Sequence, residues 1–437
     1  MQSAITLGGS FAAVLAIGVA IGRGTGAPEP AAAAVPATAQ EPAAPDLSGD
    51  VRLSGMPASM QPWRDPANPN VMLLSEGWDL NFKRRDPSAG PKREPGPMDL
   101  QRYSYTTQKC GFPTYFGLPF AMTTEDLKAG EIDVAIVGLP SNFNMGGDGT
   151  AWAANILRTA YSYDFCGVGH DTHLNLQYFD ILKVVDYGNA NHHVSLMNQN
   201  FTEHAVVLKE ILDGGAIPMA IGGEHGTQVA SIMAVVDHFG PKEIAFVHFD
   251  AHLDLAAPGA PTLGLFTHGG RARRYAYEQG WIKGEDMHSI GLHSPYDDPE
   301  RIEWMREIGD QYHFMAEFEE RGFETVWNEI LAELKGKRLY VSVDVDFIDP
   351  AHVPGTSNPE PGGFTSKEAI TMLRELSIQN EIVLIDFVEY SPLMDTRRLS
   401  SANCINRLMR AVLAGMAARR QGVTDPKYLA PELLSHK

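Results

Sequence analysis

From residue 132 onward, short apolar runs alternate with amphipathic patterns of helical period. The runs predict strands at Val134–Gly138, Pro218–Gly222, Ile244–Asp250, Met287–Leu292, Leu339–Val345 and Ile382–Phe387. The amphipathic stretches predict helices at Glu203–Leu212, Thr227–His238, Arg301–Ile308, Glu324–Leu334, Ser366–Leu376 and Cys404–Arg419. Apolar strands that alternate with helices are typical of an α/β fold whose parallel sheet is covered on both faces. In such folds the functional site lies at the carboxyl ends of the strands.

Two of the predicted strands end in motifs of acidic residues and histidines. Residues 248–254 read His-Phe-Asp-Ala-His-Leu-Asp, and residues 342–346 read Ser-Val-Asp-Val-Asp. Alternate side chains of an extended segment point to one face, so these acids and histidines are expected to converge. A Gly-Gly-Glu-His motif at residues 222–225 places another histidine after a third strand. The predicted cluster consists of His225, Asp250, His252, Asp254, Asp344 and Asp346.

Several carboxylates in a cleft between apolar strands need cationic partners, because an unpaired buried charge is costly. Mixed carboxylate and imidazole ligands suit divalent metals such as manganese, nickel, cobalt, zinc or iron. The whole set exceeds what one ion with an open coordination position requires. It therefore predicts two ions that share bridging carboxylates and activate a water molecule between them. Taken singly, each aspartate has a simpler explanation as a solvated acid at the end of a strand.

These motifs, in this order, resemble those of the ureohydrolase family, which includes arginases, agmatinases and related hydrolases of guanidino groups. The resemblance covers residues 132–415 and also rests on residues 354–363 (Pro-Gly-Thr-Ser-Asn-Pro-Glu-Pro-Gly-Gly) and 386–392 (Asp-Phe-Val-Glu-Tyr-Ser-Pro). It implies a three-layer α/β/α fold with an eight-stranded parallel sheet and a binuclear metal centre, usually of manganese, with nickel and cobalt as alternatives. The implied ligands of one ion are His225, Asp250, Asp254 and Asp344, and those of the other are Asp250, His252, Asp344 and Asp346.

The resemblance also implies catalytic roles for three residues. Glu389 would bind the guanidinium group in a bidentate contact. Asp346 would carry the proton of the nucleophile to the leaving amine, and His268 would relay protons to solvent and contact the substrate. Without the resemblance, His268 would be interpreted as an incidental loop histidine. For Glu389, which follows a predicted apolar strand, the alternative interpretation is an exposed loop acid.

The segment between Asp254 and His268 often contacts the substrate tail in this family, and here it contains no Arg or Lys. A site without such donors disfavours a substrate with a carboxylate, such as arginine. The expected reaction releases urea, with agmatine as the default substrate and putrescine as the other product. Two residues depart from the family pattern, Gly226 and Trp152. Trp152 is expected to narrow the substrate pocket. These departures keep guanidine and guanidinobutyrate as alternative substrates. More remote alternatives for the function are a non-catalytic partner subunit and a metal-dependent deacetylase.

The net charge of the chain is consistent with a small cationic substrate. The chain has 35 Lys and Arg residues against 54 Asp and Glu residues, a net charge of -19. This balance argues against a nucleic-acid partner, which would require basic patches, and it suits a small cationic substrate. The three cysteines, Cys110, Cys166 and Cys404, are far apart, so neither a disulfide framework nor a thiolate zinc site is predicted.

The ends of the chain differ in composition from its middle. Residues 1–22 are uncharged and mostly apolar, which predicts a signal peptide or membrane anchor and an exported or periplasmic protein, with a cytoplasmic location as the alternative. Residues 23–50 form an Ala- and Pro-rich linker, and residues 51–130 form an extension with a candidate role in oligomer contacts. The predicted catalytic domain spans residues 131–420, and a tail spans residues 421–437. The family resemblance implies a homo-oligomer, either a trimer or a hexamer.

Overall fold

The computed structural model describes residues 93–101, 111–143, 149–160, 169–193, 197–256, 269–295 and 298–434. The predicted signal peptide or anchor, the predicted linker and most of the predicted extension lie outside these ranges, so these assignments stay predictions. Among the residues described, no helix is both long enough and apolar enough to cross a membrane.

Eight strands form the central sheet. They are β1 (Val134–Leu139), β2 (Val184–Asn189), β3 (Ile217–Gly222), β4 (Ala245–Phe249), β5 (Met287–Leu292), β6 (Gln311–Phe314), β7 (Arg338–Asp344) and β8 (Glu381–Val388). Their order across the sheet is β2-β1-β3-β8-β7-β4-β5-β6. All neighbouring strands run parallel. This sheet confirms the predicted fold class.

The apolar runs predict all strands of this sheet except β2 and β6. These two lie at the outer edges of the sheet, where a strand has one hydrogen-bonded neighbour instead of two. Both mix polar with apolar residues, as in Gln311-Tyr312-His313-Phe314. An edge strand needs less apolar surface than a central strand, so its sequence carries a weaker signal.

Helices of the described residues flank the sheet. They are α1 (Thr124–Gly130), α2 (Ala153–Thr159), α3 (Tyr178–Ile181), α4 (Met197–Asp213), α5 (Gln228–Phe239), α6 (Ala272–Glu278), α7 (Pro299–Ile308), α8 (Met315–Arg321), α9 (Phe323–Leu334), α10 (Ser366–Gln379) and α11 (Ser400–Arg420). The six predicted helices correspond to α4, α5, α7, α9, α10 and α11, most of which are longer than predicted. The start of α10 is fixed by a capping box, in which the side chains of Thr365 and Glu368 each accept a hydrogen bond from the other residue's backbone N–H.

The strands separate two apolar cores, one on each face of the sheet. Alternate residues of one strand enter different cores: Ile136 packs in the core with α9, α10 and α11, and Val137 packs in the core with α4 and α5. The same division holds in β4, where Val247 and Phe246 belong to opposite cores. The molecule therefore has three layers, and its central strands are buried on both faces.

The described part of the predicted extension is integrated into this domain. The carboxylate of Asp186 in β2 accepts hydrogen bonds from the guanidinium of Arg158 at 2.7 and 2.8 Å and from the backbone N–H of Tyr115 at 3.1 Å. Tyr115 and Phe116 are almost fully buried in the core. A backbone bridge between Phe120 and Asp186 continues the contact along β2. Residues 111–130 thus cover the edge of the sheet that β2 would otherwise expose.

His204 in α4 is expected to make the fold sensitive to acid. The residue is fully buried, and burial lowers the pKa of its imidazole to about 3. The unfolded chain therefore binds more protons between pH 6.5 and 3, and the free energy of unfolding falls as the pH decreases through this window. Between pH 7 and pH 5 the loss due to His204 should be about 2 kcal/mol. Urea unfolding at pH 7 and at pH 5 measures the free energy of unfolding at each pH. We expect the difference between the two values to be about 2 kcal/mol smaller in His204→Gln than in the unaltered protein. An unchanged difference in the variant would contradict the assignment.

Candidate active site

Four neighbouring central strands deliver polar side chains to one edge of the sheet. In the order β3, β8, β7 and β4, these strands lead to His225, Glu389, Asp344 and Asp250 at their carboxyl ends. Val388 of β8 pairs with Asp344 of β7, so the strand ends are level. The sheet therefore brings these residues together although they are far apart in the chain, as expected for the functional edge of a parallel sheet.

The turn that carries His225 depends on glycine. A Cβ atom at Gly223 would lie 2.1 Å from the carbonyl oxygen of Ser141, so a residue with a side chain would not fit there without movement of the backbone. The chain then enters a single 3₁₀ turn, His225–Thr227. The imidazole of His225 is buried and faces the ends of β4 and β7.

The first group of candidate ligand atoms surrounds Nδ1 of His225. This atom lies 3.0 Å from Oδ2 of Asp250 and 3.1 Å from an oxygen of both Asp254 and Asp344. Nδ1 of His225 and Oδ2 of Asp250 are buried and make no hydrogen bond of acceptable geometry. Buried nitrogen and oxygen atoms that face one another without hydrogen bonds fit a bound divalent cation.

The second group lies around Nδ1 of His252. This atom is 3.0 Å from Oδ2 of Asp346 and 3.4 Å from Oδ1 of Asp250. Ligand atoms of His252, Asp346 and Asp250 all lie within 4.8 Å of one another. Asp250 thus presents one carboxylate oxygen to each group, which is the arrangement of a bridging ligand. The carboxylate of Glu360 lies 3.7 Å from the other ring nitrogen of His252.

The side chains converge, but the predicted alternation along extended strands is not the reason. β4 ends at Phe249, before Asp250, and Asp254 adopts a left-handed backbone conformation with φ of 49°. Asp344 ends β7, and its carboxylate accepts a hydrogen bond at 3.0 Å from the N–H of Asp346, which lies in a 3₁₀ turn. Turns after the strands therefore aim the carboxylates, and the strands supply only their common edge.

His248 is a residue of this site that the predicted cluster leaves out. Its side chain is fully buried, and its Nε2 lies 2.7 Å from Oδ2 of Asp250. The angles of this contact do not suit a hydrogen bond, and neither ring nitrogen makes one of acceptable geometry. Burial lowers the pKa of the imidazole well below its usual value, and the positive charges of Arg273 and His225 lower it further. A neutral imidazole is the form that binds metals. The available signal was the i, i+2 spacing of His248 and Asp250 on β4.

The electrostatics of the cluster show an excess of negative charge. Burial raises the pKa of Asp344 well above its usual value, and the carboxylates of Asp346 and Asp250 raise it further. Burial and Asp250 also raise the pKa of Asp346. Burial alone would lower the pKa of His225, but the surrounding carboxylates reverse this and hold it well above its usual value. Each shift reports anions crowded in a region of low dielectric, where a bound cation would be stabilised.

Glu389 lies beside this cluster and is buried, not exposed. Its Oε1 accepts a hydrogen bond at 2.6 Å from the backbone N–H of His225, and its Oε2 accepts one at 3.2 Å from the hydroxyl of Ser357. Burial raises the pKa of Glu389 to about 7, although the N–H of His225 opposes the shift. Glu389 has φ of 61°, so both it and Asp254 hold a backbone conformation that costs energy, as residues at functional sites often do.

Two predicted site residues are not brought into the cluster by the described part of the chain. His268 lies outside the described residues, so its role as proton relay stays a prediction. Trp152 lies in the 3₁₀ turn Thr150–Trp152 and is 61% exposed. The residue before this turn, Gly149, lies close to the loop after Glu389, because a Cβ atom there would lie 2.9 Å from the side chain of Leu393.

Gly226, which departs from the family pattern, packs against the side chain of Glu224. A Cβ atom at Gly226 would lie 2.6 Å from the ring of Phe201 and 3.0 Å from Oε1 of Glu224. The absence of a side chain at Gly226 therefore makes room for the carboxylate of Glu224. This carboxylate is fully buried, and burial together with the charge of Glu389 raises its pKa well above the usual value, although the backbone N–H of Phe143 opposes the shift.

The fold and the cluster of His and Asp side chains at the carboxyl edge of its sheet define an enzyme with a metal site. The sequence profile of the arginase family matches residues 132–415, and the chain belongs to this family. It is an agmatinase-like ureohydrolase, an enzyme that hydrolyses carbon–nitrogen bonds. The predicted family is thereby confirmed, and the alternative of a metal-dependent deacetylase is set aside.

Curated relatives agree with this assignment. Proclavaminate amidinohydrolase of Streptomyces clavuligerus is 30% identical over 293 residues, which are 66% of this chain and 88% of the relative. Agmatinase of Bacillus subtilis is 30% identical over 246 residues, 55% of this chain and 76% of the relative. Guanidinobutyrase of Pseudomonas aeruginosa is 28% identical over 316 residues, 71% of this chain and 94% of the relative.

Solved structures share the fold. The structure of the Streptomyces clavuligerus proclavaminate amidinohydrolase has a TM-score of 0.63 at 28% identity, and the match covers 71% of this chain and 98% of that one. A Trypanosoma cruzi formiminoglutamase with Mn²⁺ has a TM-score of 0.59 at 20% identity, with coverage of 68% and 99%. The second likeness shows the common fold alone.

Proposed function

We propose that this protein cleaves the guanidino C–N bond of a small cationic substrate and releases urea, with agmatine as the first candidate substrate and putrescine as the other product. The observation that carries the proposal is the position of Glu389. Its buried carboxylate is joined by a 2.6 Å hydrogen bond to the backbone of His225, whose side chain belongs to the metal-ligand cluster. A guanidinium group held by Glu389 would therefore lie next to that cluster.

We propose two divalent ions as the cofactors, with manganese first and nickel or cobalt as alternatives. His225, Asp250, Asp254 and Asp344 would hold one ion, and Asp250, His252, Asp344 and Asp346 would hold the other. The two oxygens of Asp250, each directed toward a different histidine, support this division. When bound, such ions supply Lewis acidity that lowers the pKa of a coordinated water toward neutrality. His248 lies close enough to Asp250 to position its carboxylate.

The residues of the chain then have separate tasks in the reaction. Glu389 orients the guanidinium, so that its carbon faces the cluster, and neutralises its positive charge. Water adds to that carbon, and the bond from the carbon to the substituted nitrogen breaks. The Oδ1 atom of Asp346 accepts a hydrogen bond at 3.1 Å from the N–H of Ala251, which holds the carboxylate in place to carry a proton from the water to the leaving amine. His268 is proposed to exchange protons with solvent.

The charge of the site ranks the substrates. Glu389, Glu224 and the aspartates place many carboxylates around the site, and burial raises the pKa values of Glu224, Asp344, Asp346 and Glu389. A second positive charge, as in agmatine, is favoured in such a field, and a carboxylate tail is disfavoured. Guanidinobutyrate is kept as the second candidate because the Pseudomonas guanidinobutyrase is similar over 94% of its own length.

A substrate panel tests the proposed activity. We expect urea release from agmatine after reconstitution of the metal-stripped protein with Mn²⁺ or Ni²⁺. The value of kcat/KM for arginine should be at least about tenfold lower, because its carboxylate would lack a partner. The panel also includes guanidine and guanidinobutyrate. Preference for guanidinobutyrate would overturn the choice of agmatine, and no urea from any compound with metal bound would overturn the activity itself.

A further inference from the structure

A chain of buried hydrogen bonds leads away from His225 on the side opposite the carboxylate cluster. Nε2 of His225 lies 3.1 Å from the hydroxyl oxygen of Ser342, and the hydroxyl of Ser342 donates to Oδ1 of Asp386 at 2.7 Å. All three side chains are buried. They belong to the turn after β3, to β7 and to β8, so the chain of bonds crosses three neighbouring strands.

Asp386 is fully satisfied by hydroxyl groups. Its second oxygen, Oδ2, accepts hydrogen bonds from Ser231 at 2.7 Å and from Tyr340 at 2.6 Å. A carboxylate in the middle of a buried strand is more costly than an apolar residue unless it has such donors. Because the hydrogen of Ser342 is directed to Asp386, the lone pairs of the Ser342 oxygen remain to accept a hydrogen bond from His225.

This direction of the bonds decides where His225 carries its proton. Nδ1 of His225 faces the carboxylates of Asp250, Asp254 and Asp344, and it can bind a cation only through a free lone pair. The ring proton must then lie on Nε2, where it needs an acceptor. Ser342, held by Asp386, is that acceptor.

Gln228 contacts the same ring nitrogen but does not determine which tautomer His225 adopts. Its side-chain Nε2 lies 2.9 Å from Nε2 of His225 and donates to the hydroxyl oxygen of Ser342 at 3.2 Å, where it uses one of the two lone pairs and leaves the other for His225. The amide offers a donor on one side and an acceptor on the other, so it can turn to suit either tautomer. The carboxylate of Asp386, which accepts hydrogen bonds from Ser342, Ser231 and Tyr340, fixes the direction of the Ser342 hydroxyl and therefore stabilises one tautomer.

We propose that Ser342 and Asp386 are positioning residues that keep the proton of His225 on Nε2 and thereby raise the metal affinity of the site that His225 serves. Neither residue is placed among the ligands. The inference rests on the metal centre proposed above. It predicts an effect on one of the two ions, because Nδ1 of the other candidate histidine ligand, His252, faces Asp346 and Asp250.

The test is a titration of Mn²⁺ into the metal-stripped full-length protein. We expect Ser342→Ala and Asp386→Asn to weaken the binding of one Mn²⁺ by about 10- to 100-fold, the usual effect of losing a hydrogen-bond partner of a metal-binding histidine. The second Mn²⁺ should bind as in the unaltered protein. Electron paramagnetic resonance should then show an isolated Mn²⁺ where the unaltered protein shows a coupled pair. Ser342→Thr keeps the hydroxyl and should restore the affinity.

Ser231→Ala is the matched control. It also removes a buried hydroxyl from Asp386, but from the oxygen that does not face Ser342. Thermal unfolding of each metal-free variant reports damage to the fold separately. Two Mn²⁺ ions bound by Ser342→Ala with unchanged affinities would overturn the positioning role, and so would an equal loss in Ser231→Ala. Failure of the unaltered protein to bind any Mn²⁺ would instead overturn the proposed metal centre.

Discussion

Replacement of Asp344 by asparagine is expected to abolish both metal loading and turnover. Asp344 is buried, one of its oxygens lies 3.1 Å from Nδ1 of His225, and the other accepts a hydrogen bond from the N–H of Asp346. Asparagine has nearly the same shape and keeps an acceptor for that N–H, so the change removes mainly a negative charge. The loss of a charged ligand proposed to serve both ions should lower kcat by at least about 10³-fold, which corresponds to several kcal/mol of lost stabilisation.

The measurement is the number of Mn²⁺ ions retained per chain after gel filtration, together with urea release from agmatine. Asp349→Asn is a suitable control, since Asp349 lies three residues after Asp346, is partly exposed, and accepts hydrogen bonds from the backbone of Ala351 and Gly362. It should retain both ions. Full activity of Asp344→Asn without metal would refute the binuclear centre.

Replacement of Glu389 by glutamine is expected to lower kcat/KM for agmatine by about 10²- to 10³-fold while metal binding is retained. A buried carboxylate opposite a guanidinium makes charge-assisted hydrogen bonds, and loss of one charge from such a pair typically costs 2–5 kcal/mol. The backbone N–H of His225 donates a hydrogen bond to Glu389 at 2.6 Å. The side-chain oxygen of glutamine can accept the same bond, so the backbone of the turn should stay in place.

The two substitutions together separate binding of metal from binding of substrate. Asp344→Asn should lose Mn²⁺, whereas Glu389→Gln should retain two ions and have a similar midpoint of thermal unfolding. Steady-state kinetics of Glu389→Gln distinguishes a rise in KM from a fall in kcat. Activity of Glu389→Gln equal to that of the unaltered protein would show that another group binds the guanidinium.

The residues of the site were accessible from local patterns because metal ligation requires particular residue types. Histidines and aspartates placed directly after apolar runs predict ligands at the edge of a sheet, and His225, Asp250 and Asp344 are found there together. His248 is part of the first motif but not of the predicted ligand set, because a histidine inside an apolar strand has the same local appearance as a core residue. Asp386 belongs to a quoted motif, but its role could not be predicted, since nothing in its own segment shows the three hydroxyl groups that donate to it.

Apolar periodicity and motifs of a few adjacent residues are enough to predict the class of the fold, the family and the residue types of the candidate metal ligands. Which atoms of these residues meet depends on the tertiary structure. Glu389 and His225 are 164 residues apart, and they touch because β3 and β8 are neighbours in the sheet. The left-handed conformations of Asp254 and Glu389 likewise depend on packing that no local pattern contains. The physical reason is that strand order, register and the aim of a turn arise from contacts between distant segments, whose energies are absent from any single stretch of the chain.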